Sequence, residues 1–190
     1  PVQMDNLPKI TKIASGTYRP YMLSATGDLY NCGLVWWVPG QTSSAILTRL
    51  TTPTIMKSNI FKMDANGDFG VLLDNNNKPY SLRTGSNFAA VPAIAEPIQQ
   101  VQCGNYFEVY LDWRGHVWTV GNNSSGQLGL GESTGYSTST PVEVPGLENI
   151  VSIAAAQNAV IALDADGAIW AWGSNGFGQL GIGGGGNSNV

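Results

Sequence analysis

One tract recurs four times along this chain, at spacings of 38 to 52 residues. Such a recurrence constrains the fold more than any local propensity, because each copy must be one supersecondary unit that buries its apolar face against the next. The clearest copy runs from Ile150 to Gly183, IVSIAAAQNAVIALDADGAIWAWGSNGFGQLGIG. Aligned on its Leu163, the others carry Leu111, Leu73 and Leu23 at the same place, with spacings of 52, 38 and 50. Upstream the units open on Ile10, Ile60, Ile98 and Ile150, followed three places later by Ile13, Met63, Val101 and Ile153.

Downstream of each Leu comes a short polar turn holding Gly27, Asn77, Gly115 or Gly167, then an aromatic three places on: Tyr30, Tyr80, Trp118 or Trp170. A tight hairpin turn needs a residue at positive φ, which Gly and Asn reach at least cost. Two apolar runs, such a turn and a third run rich in aromatic and β-branched residues make a β-meander. Pro-led segments, Pro53 to Met56, Pro92 to Ala95 and Pro141 to Val144, are expected to supply a fourth strand, since proline is tolerated at a strand's start or on a sheet edge.

The strings VWTVGNNSSGQLGLG (Val117 to Gly131) and IWAWGSNGFGQLGIG (Ile169 to Gly183) resemble the repeat signature of the regulator of chromosome condensation family. The resemblance is strongest over residues 98–183. The first two units lack the Gly-Gln-Leu-Gly loop, and the family's second-strand His is replaced by Arg19, Phe69, Phe107 and Ala159. The resemblance implies a β-propeller. The expected fold is therefore all-β, a small propeller of four β-meander repeats. Pro1-Val-Gln-Met4 overlays Pro141 to Val144 at a constant offset of 140, so residues 1–5 are expected to complete the last blade as an N-terminal strand. Closure of that kind removes exposed strand edges. A single domain over 1–183 follows, in units of about 10–56, 60–95, 98–144 and 150–183 plus 1–5, with 184–190 as a flexible Gly/Asn-rich tail.

Charged residues make up 12% of the chain, about half the usual share. With a net charge of −4 and no Lys/Arg cluster, nucleic acid is not an expected partner, because duplex binding needs several basic phosphate contacts. No apolar run is long enough to span a bilayer, and Pro1 opens without a basic, then apolar leader, so neither membrane insertion nor a signal segment is expected. Cys32 and Cys103 occupy different positions of their units among strand residues, which favours two free thiols over a disulfide.

Several motifs invite a chemical reading and fail on context. Asp64 to Asp68 lacks the Gly and closing Glu of a calcium loop. Gly176 to Gly181 matches the dinucleotide-binding pattern by letter, but a strand precedes it and a glycine tail follows where a helix is required. Asp164 to Gly167 reads as a hairpin turn. No Ser or Cys nucleophile can be assigned to His116, the one histidine. No catalytic residue, metal or cofactor is therefore expected.

The candidate ligand-binding residues are aromatic and lie in turns and loops. Trp36 and Trp37 stand where the third unit has its polar loop. Trp113, Arg114 and His116 occupy a hairpin tip, and Tyr136 centres the polar loop from Glu132 to Thr140. Such side chains on a rigid scaffold supply contact area at low entropic cost. The expected function is a non-catalytic binding or structural module that presents loops to a protein or glycan surface, as a homo-oligomer or part of a larger assembly. By analogy of composition it would be a virion tail, adhesin or capsid accessory protein, or a bacterial surface protein, with a virion or extracellular location expected over a cytoplasmic one. The alternative, implied by the resemblance, is guanine-nucleotide exchange or another regulatory scaffold activity.

Overall fold

The structure is a computed structural model; it describes residues 3–15, 20–35, 48–66, 69–82, 88–91, 94–131 and 135–188. All its regular elements are strands, arranged in four antiparallel sheets. The first sheet orders β1 (Ile10–Ser15), β2 (Pro20–Ser24), β3 (Leu29–Val35) and β4 (Thr48–Lys57) side by side. The second does the same with β5 (Ile60–Asn66), β6 (Phe69–Asp74), β7 (Pro79–Leu82) and β8 (Ala89–Ala90). The third holds β9 (Ile98–Cys103), β10 (Phe107–Asp112), β11 (Val117–Asn122) and β12 (Ser137–Glu143). The last has β13 (Ile150–Ala155), β14 (Ala159–Asp164) and β15 (Ile169–Gly173).

The sequence repeat is reproduced in the register. The second and third strands of each sheet meet next to the hairpin as Leu23↔Leu29, Leu73↔Pro79, Leu111↔Val117 and Leu163↔Ile169. The opening isoleucines face Ser24, Asp74, Asp112 and Asp164, and a bulge follows each of them. A bulge repeated at one place bends every first strand alike. The turn residues expected at positive φ have it: 84° at Gly27, 59° at Asn77, 87° at Gly115 and 87° at Gly167.

Three details depart from the expected strands. Pro53 and Pro141 lie inside β4 and β12 rather than at their starts, on edge strands where a missing amide is tolerated. The second sheet's outer strand is Ala89–Ala90, ahead of Pro92. Residues 3–5 form no strand, and in the fourth sheet the outer edge of β15 instead exchanges backbone hydrogen bonds between Gly173 and Ser188 (2.7 and 3.0 Å).

Neighbouring sheets are joined in one repeated way. The amide of each opening isoleucine donates to the carbonyl of the previous unit's turn residue: Ile60 to Gly27 at 2.9 Å, Ile98 to Asn77 at 3.3 Å and Ile150 to Gly115 at 3.1 Å. The core sits between sheets. Tyr21, Leu23 and Leu29 close on Ile60 and Met63; Val71 and Leu73 close on Ile98 and Val101; Val109, Leu111 and Val117 close on Ile150 and Ile153. Trp172, fully buried, reaches from the fourth sheet to the third, where its Nε1 donates to the Gln127 carbonyl at 3.0 Å.

Candidate functional site

Each hairpin turn is built around one oxygen-bearing side chain that follows the aligned leucine. In the third unit this is Asp112, whose Oδ1 accepts from the amides of Arg114 (2.8 Å) and His116 (3.0 Å). Its Oδ2 accepts from Trp118 Nε1 at 3.1 Å and lies 3.2 Å from His116 Nδ1. Asp74 and Asp164 repeat the scheme with Tyr80 and Trp170 as the aromatic partners. In the first unit Ser24 takes the place, its Oγ accepting from the Asp28 amide at 3.0 Å. The aromatic three places after the turn residue is therefore in part a hydrogen-bond donor to the turn. The signal is present in the sequence as an Asp six residues before each of Tyr80, Trp118 and Trp170.

These bonds decide the electrostatics. Burial works to raise the pKa of Asp112, but the hydrogen bonds from Trp118 and from the His116 and Arg114 amides, with the charge of His116, outweigh it and hold the carboxyl below its ordinary value. Asp164 is also lowered, chiefly by the Trp170 indole, with the Ala168 amide next. His116 is thus committed to a structural carboxylate. Cys103, free and buried, has its thiol pushed well above the ordinary range by burial and then by the neighbouring Asp64 and Glu108 charges. It is held protonated and is no nucleophile. Cys32 is free as well.

Two further acidic side chains, Asp64 and Glu108, join the second sheet to the third. Asp64 Oδ2 accepts from the Cys103 amide at 2.9 Å. Buried Glu108 accepts from Ser81 Oγ across the same junction and from Tyr110 OH at 2.6 Å. Among the described residues, no group of three His, Cys, Asp or Glu side chains could hold a metal ion.

The Gly-Gln-Leu-Gly stretches are self-bonded loops. Gln127 Oε1 accepts from the Ser125 amide (2.8 Å) while its Nε2 donates to Asn122 Oδ1 (2.9 Å), and the Leu128 amide donates to Asn123 Oδ1 (3.0 Å). Gln179, Ser174, Leu180 and Asn175 repeat these bonds in the last unit, with the Phe177 amide on Gln179 Oε1. The stretch that spells a dinucleotide motif is therefore a loop closed on itself, with no helix to receive a pyrophosphate.

The candidate contact residues separate into two groups. Trp113, 62% exposed, sits at the hairpin tip over a shallow depression between the third and fourth units, lined by Gln99, Arg114, Asn149 and Ala165. Arg114 beside it pairs with Glu96 at 3.0 Å, and His116 lies just behind. Tyr136, 83% exposed, borders a polar cleft of about 380 Å³ with Asn123, Ser124, Ser125 and Asn187. Tyr136 directly precedes β12, whose Ser137 pairs with Asn122 at the far end of the β10–β11 hairpin. Trp113 and Tyr136 thus mark opposite ends of one sheet and cannot share a small ligand. Trp36 and Trp37 lie outside the described residues.

Comparison with known proteins agrees with this architecture. Residues 114–163 match the family model described as regulator of chromosome condensation (RCC1) repeat, and residues 150–179 match a second model of the same description. The chain is 38% identical over 93 residues to the mitochondrial RCC1 domain-containing protein RUG3 of Arabidopsis thaliana, covering 48% of this chain and 20% of that protein. It is 38% identical over 108 residues to the human probable E3 ubiquitin-protein ligase HERC3, covering 53% of this chain and 10% of that protein. Among solved structures, human WBSCR16 superposes at a TM-score of 0.83 and 20% identity, covering 100% of this chain and 54% of that one. Yeast RCC1 (Prp20) bound to Kap60 gives 0.80 at 15% identity, covering 100% and 49%. A structure of Prp20p from Saccharomyces cerevisiae, described with its binding to Gsp1p and histones, gives 0.75 at 21%, covering 92% and 46%. The chain thus resembles the RCC1 repeat proteins and has their β-propeller fold, over about half the length of the solved propellers and a fifth or less of the two relatives. These relatives favour the regulatory-scaffold alternative over the virion or adhesin expectation, which rests on composition alone.

Proposed function

We propose that this chain is a non-catalytic protein-binding scaffold of the RCC1 type, whose exposed hairpin tip at Trp113 and Arg114, with His116 behind it, is the contact surface. The observation that carries the reading is the commitment of its reactive-looking groups to architecture. Asp112 and Asp164 hold turns, Asp64 and Glu108 join sheets, and Cys103 is buried and protonated, while the large aromatic Trp113 is left facing solvent. Exposed Trp and Arg beside a depression are the residue types that dominate protein interfaces. The partners named for the yeast relatives, Kap60, Gsp1p and histones, are all proteins, and they supply the first probes.

The test is titration of the folded chain against those three proteins by biolayer interferometry, with nucleotide release from Gsp1p followed in parallel. Binding to one of them that Trp113→Ala weakens about thirtyfold or more supports the reading, since truncating a hot-spot residue costs about 2 kcal/mol or more. Accelerated nucleotide release would extend it to exchange. No binding to any of the three, or binding indifferent to Trp113→Ala and Arg114→Ala, would overturn the proposed surface.

A further inference from the structure

The two ends of the third and fourth sheets differ in chemistry. The hairpin-turn end carries the charges, among them Glu96, Arg114, His116, Asp164 and Asp166. The other end is built by residues 104–106, 122–131, 135–138, 156–158 and 173–188, and none of these described residues is Asp, Glu, Lys, Arg or His. Its polar groups are amides and hydroxyls. The cleft of about 380 Å³ beside Tyr136 opens at this uncharged end, between the third and fourth units. Asn123, Ser124, Ser125 and Asn187 line it together with the tyrosine, and glycines supply the rest. Among the described residues it has no aliphatic side chain, so an apolar ligand would gain little by entering, and no charge to pair with an ion.

Both walls of the cleft are fixed by their own hydrogen bonds. On one side the Asn123 amide donates to the Tyr136 carbonyl at 2.7 Å and Asn123 Nδ2 to the Gly135 carbonyl at 3.1 Å, which clamps the backbone under the tyrosine to the Gly-Gln-Leu-Gly loop. On the other side Asn187 Oδ1 accepts from the Asn175 amide at 3.2 Å, and the adjoining Ser188 is paired with Gly173. Tyr136 OH, Ser125 Oγ and Asn187 Nδ2 have no hydrogen-bond partner among the described residues. Each can donate, and the two hydroxyls can also accept. A Cβ on Gly131 or Gly135 would meet nothing within 4 Å, so a ligand can approach the backbone there closely.

We propose that this cleft binds a neutral oligosaccharide, with the Tyr136 ring as the platform for the apolar face of a sugar ring and Ser125 and Asn187 as partners of its hydroxyls. A neutral sugar matches the cleft group by group. Each sugar ring offers a patch of C–H groups for an exposed aromatic, several hydroxyls that both donate and accept, and no charge. A peptide finds less here, because a small protein contact draws its energy from an anchor filling an apolar pocket or from desolvated charge pairs, and the cleft supplies neither. Its volume falls at the lower end of the range for small-ligand sites, about 300–1,000 Å³, which suits a short saccharide. Walls already held in place lower the ordering cost of binding. The site lies at the opposite end of the sheet from Trp113 and is independent of the protein-binding surface proposed above.

The experiment is ligand-observed NMR and titration calorimetry on the full chain with maltotetraose, cellotetraose, mannotetraose and chitotetraose, and with a sulfated chitotetraose as the charged counterpart. At least one neutral probe should bind saturably at millimolar concentration, more tightly than the sulfated one. Tyr136→Ala should weaken that binding about tenfold, the scale of one aromatic stacking contact, whereas Tyr136→Phe, which keeps the ring, should retain most of it. Tyr136 is 83% exposed, so both variants should fold, with circular dichroism as the control. Trp113→Ala should leave sugar binding unchanged, which separates this site from the protein-binding surface. Binding of none of the neutral probes overturns the inference. So does binding that Tyr136→Ala leaves intact, or a preference for the sulfated probe. Loss of protein binding in Tyr136→Ala, with no sugar bound by the parent, would assign the cleft to a protein partner and overturn it equally.

Discussion

Asp112 is buried yet kept ionised, because four donors converge on its two oxygens. Its native pKa is lowered from the ordinary 3.8, so the folded state binds that proton less readily than the unfolded chain. The stabilisation it contributes is therefore complete above about pH 5 and is lost as pH falls below 3.8 through the native value. Asp112→Ala is expected to cost about 1–3 kcal/mol in urea unfolding at neutral pH, through amides and an indole left without their acceptor. The gap between parent and variant should narrow on acidification to about pH 2; a gap that stays constant would place the effect in packing. Of this site the sequence showed the turn, through Gly115 and the polar residues around it. It did not show that Trp118 and His116 aim at one carboxylate, since that depends on side-chain directions across a hairpin.

At the scale of the strand, β15 holds two tryptophans two residues apart with opposite fates. Trp170 donates to Asp164 and is 40% exposed; Trp172 is fully buried against the third sheet and donates to Gln127. Trp172→Ala should cost about 3–5 kcal/mol, the range for emptying a large aromatic site, and should separate the last two sheets. Trp170→Ala should cost about 1 kcal/mol, the worth of one net hydrogen bond. Thermal unfolding of both variants checks the ranking, and equal losses would mean that the third and fourth sheets do not depend on this contact. Gly129 shows how the contact is accommodated, because a Cβ there would lie 2.9 Å from the Trp172 indole nitrogen. Residues two apart on a strand share a face, so alternation alone assigns both tryptophans to the same side of the sheet. What separates them is their place along the strand: Trp170 lies towards the hairpin turn, within reach of Asp164, whereas Trp172 lies farther along, against Gln127 of the third unit, which only the packing of the two units decides.

At the scale of the molecule, stability resides in the junctions between sheets, and Cys103 reports on one of them. Its thiol lies in the core between the second and third sheets, and burial with the Asp64 and Glu108 charges disfavours its thiolate. A thiol reagent at about pH 8 is expected to modify half-buried Cys32 first, although burial raises that thiol too, and to reach Cys103 only as fast as the sheets part. Mass spectrometry of the labelled peptides along a urea series checks this. Labelling of Cys103 at the Cys32 rate in native buffer would show that the second junction opens locally.

Periodicity in the sequence determined the number of units, the order of runs within each and the places of the positive-φ turns, because a residue that fits a pleat or a tight turn does so from its own chemistry. The same periodicity fixed which positions belong to inter-sheet faces, from Ile60 and Leu73 to Val101 and Leu111. Tertiary structure alone decided how those faces are used. It committed Asp64, Glu108 and Asp112 to joints and turns rather than chemistry, and set Trp113 and Tyr136 at opposite ends of one sheet. The physical reason is that local sequence specifies a unit's own conformation, whereas burial and partnership depend on the unit packed against it.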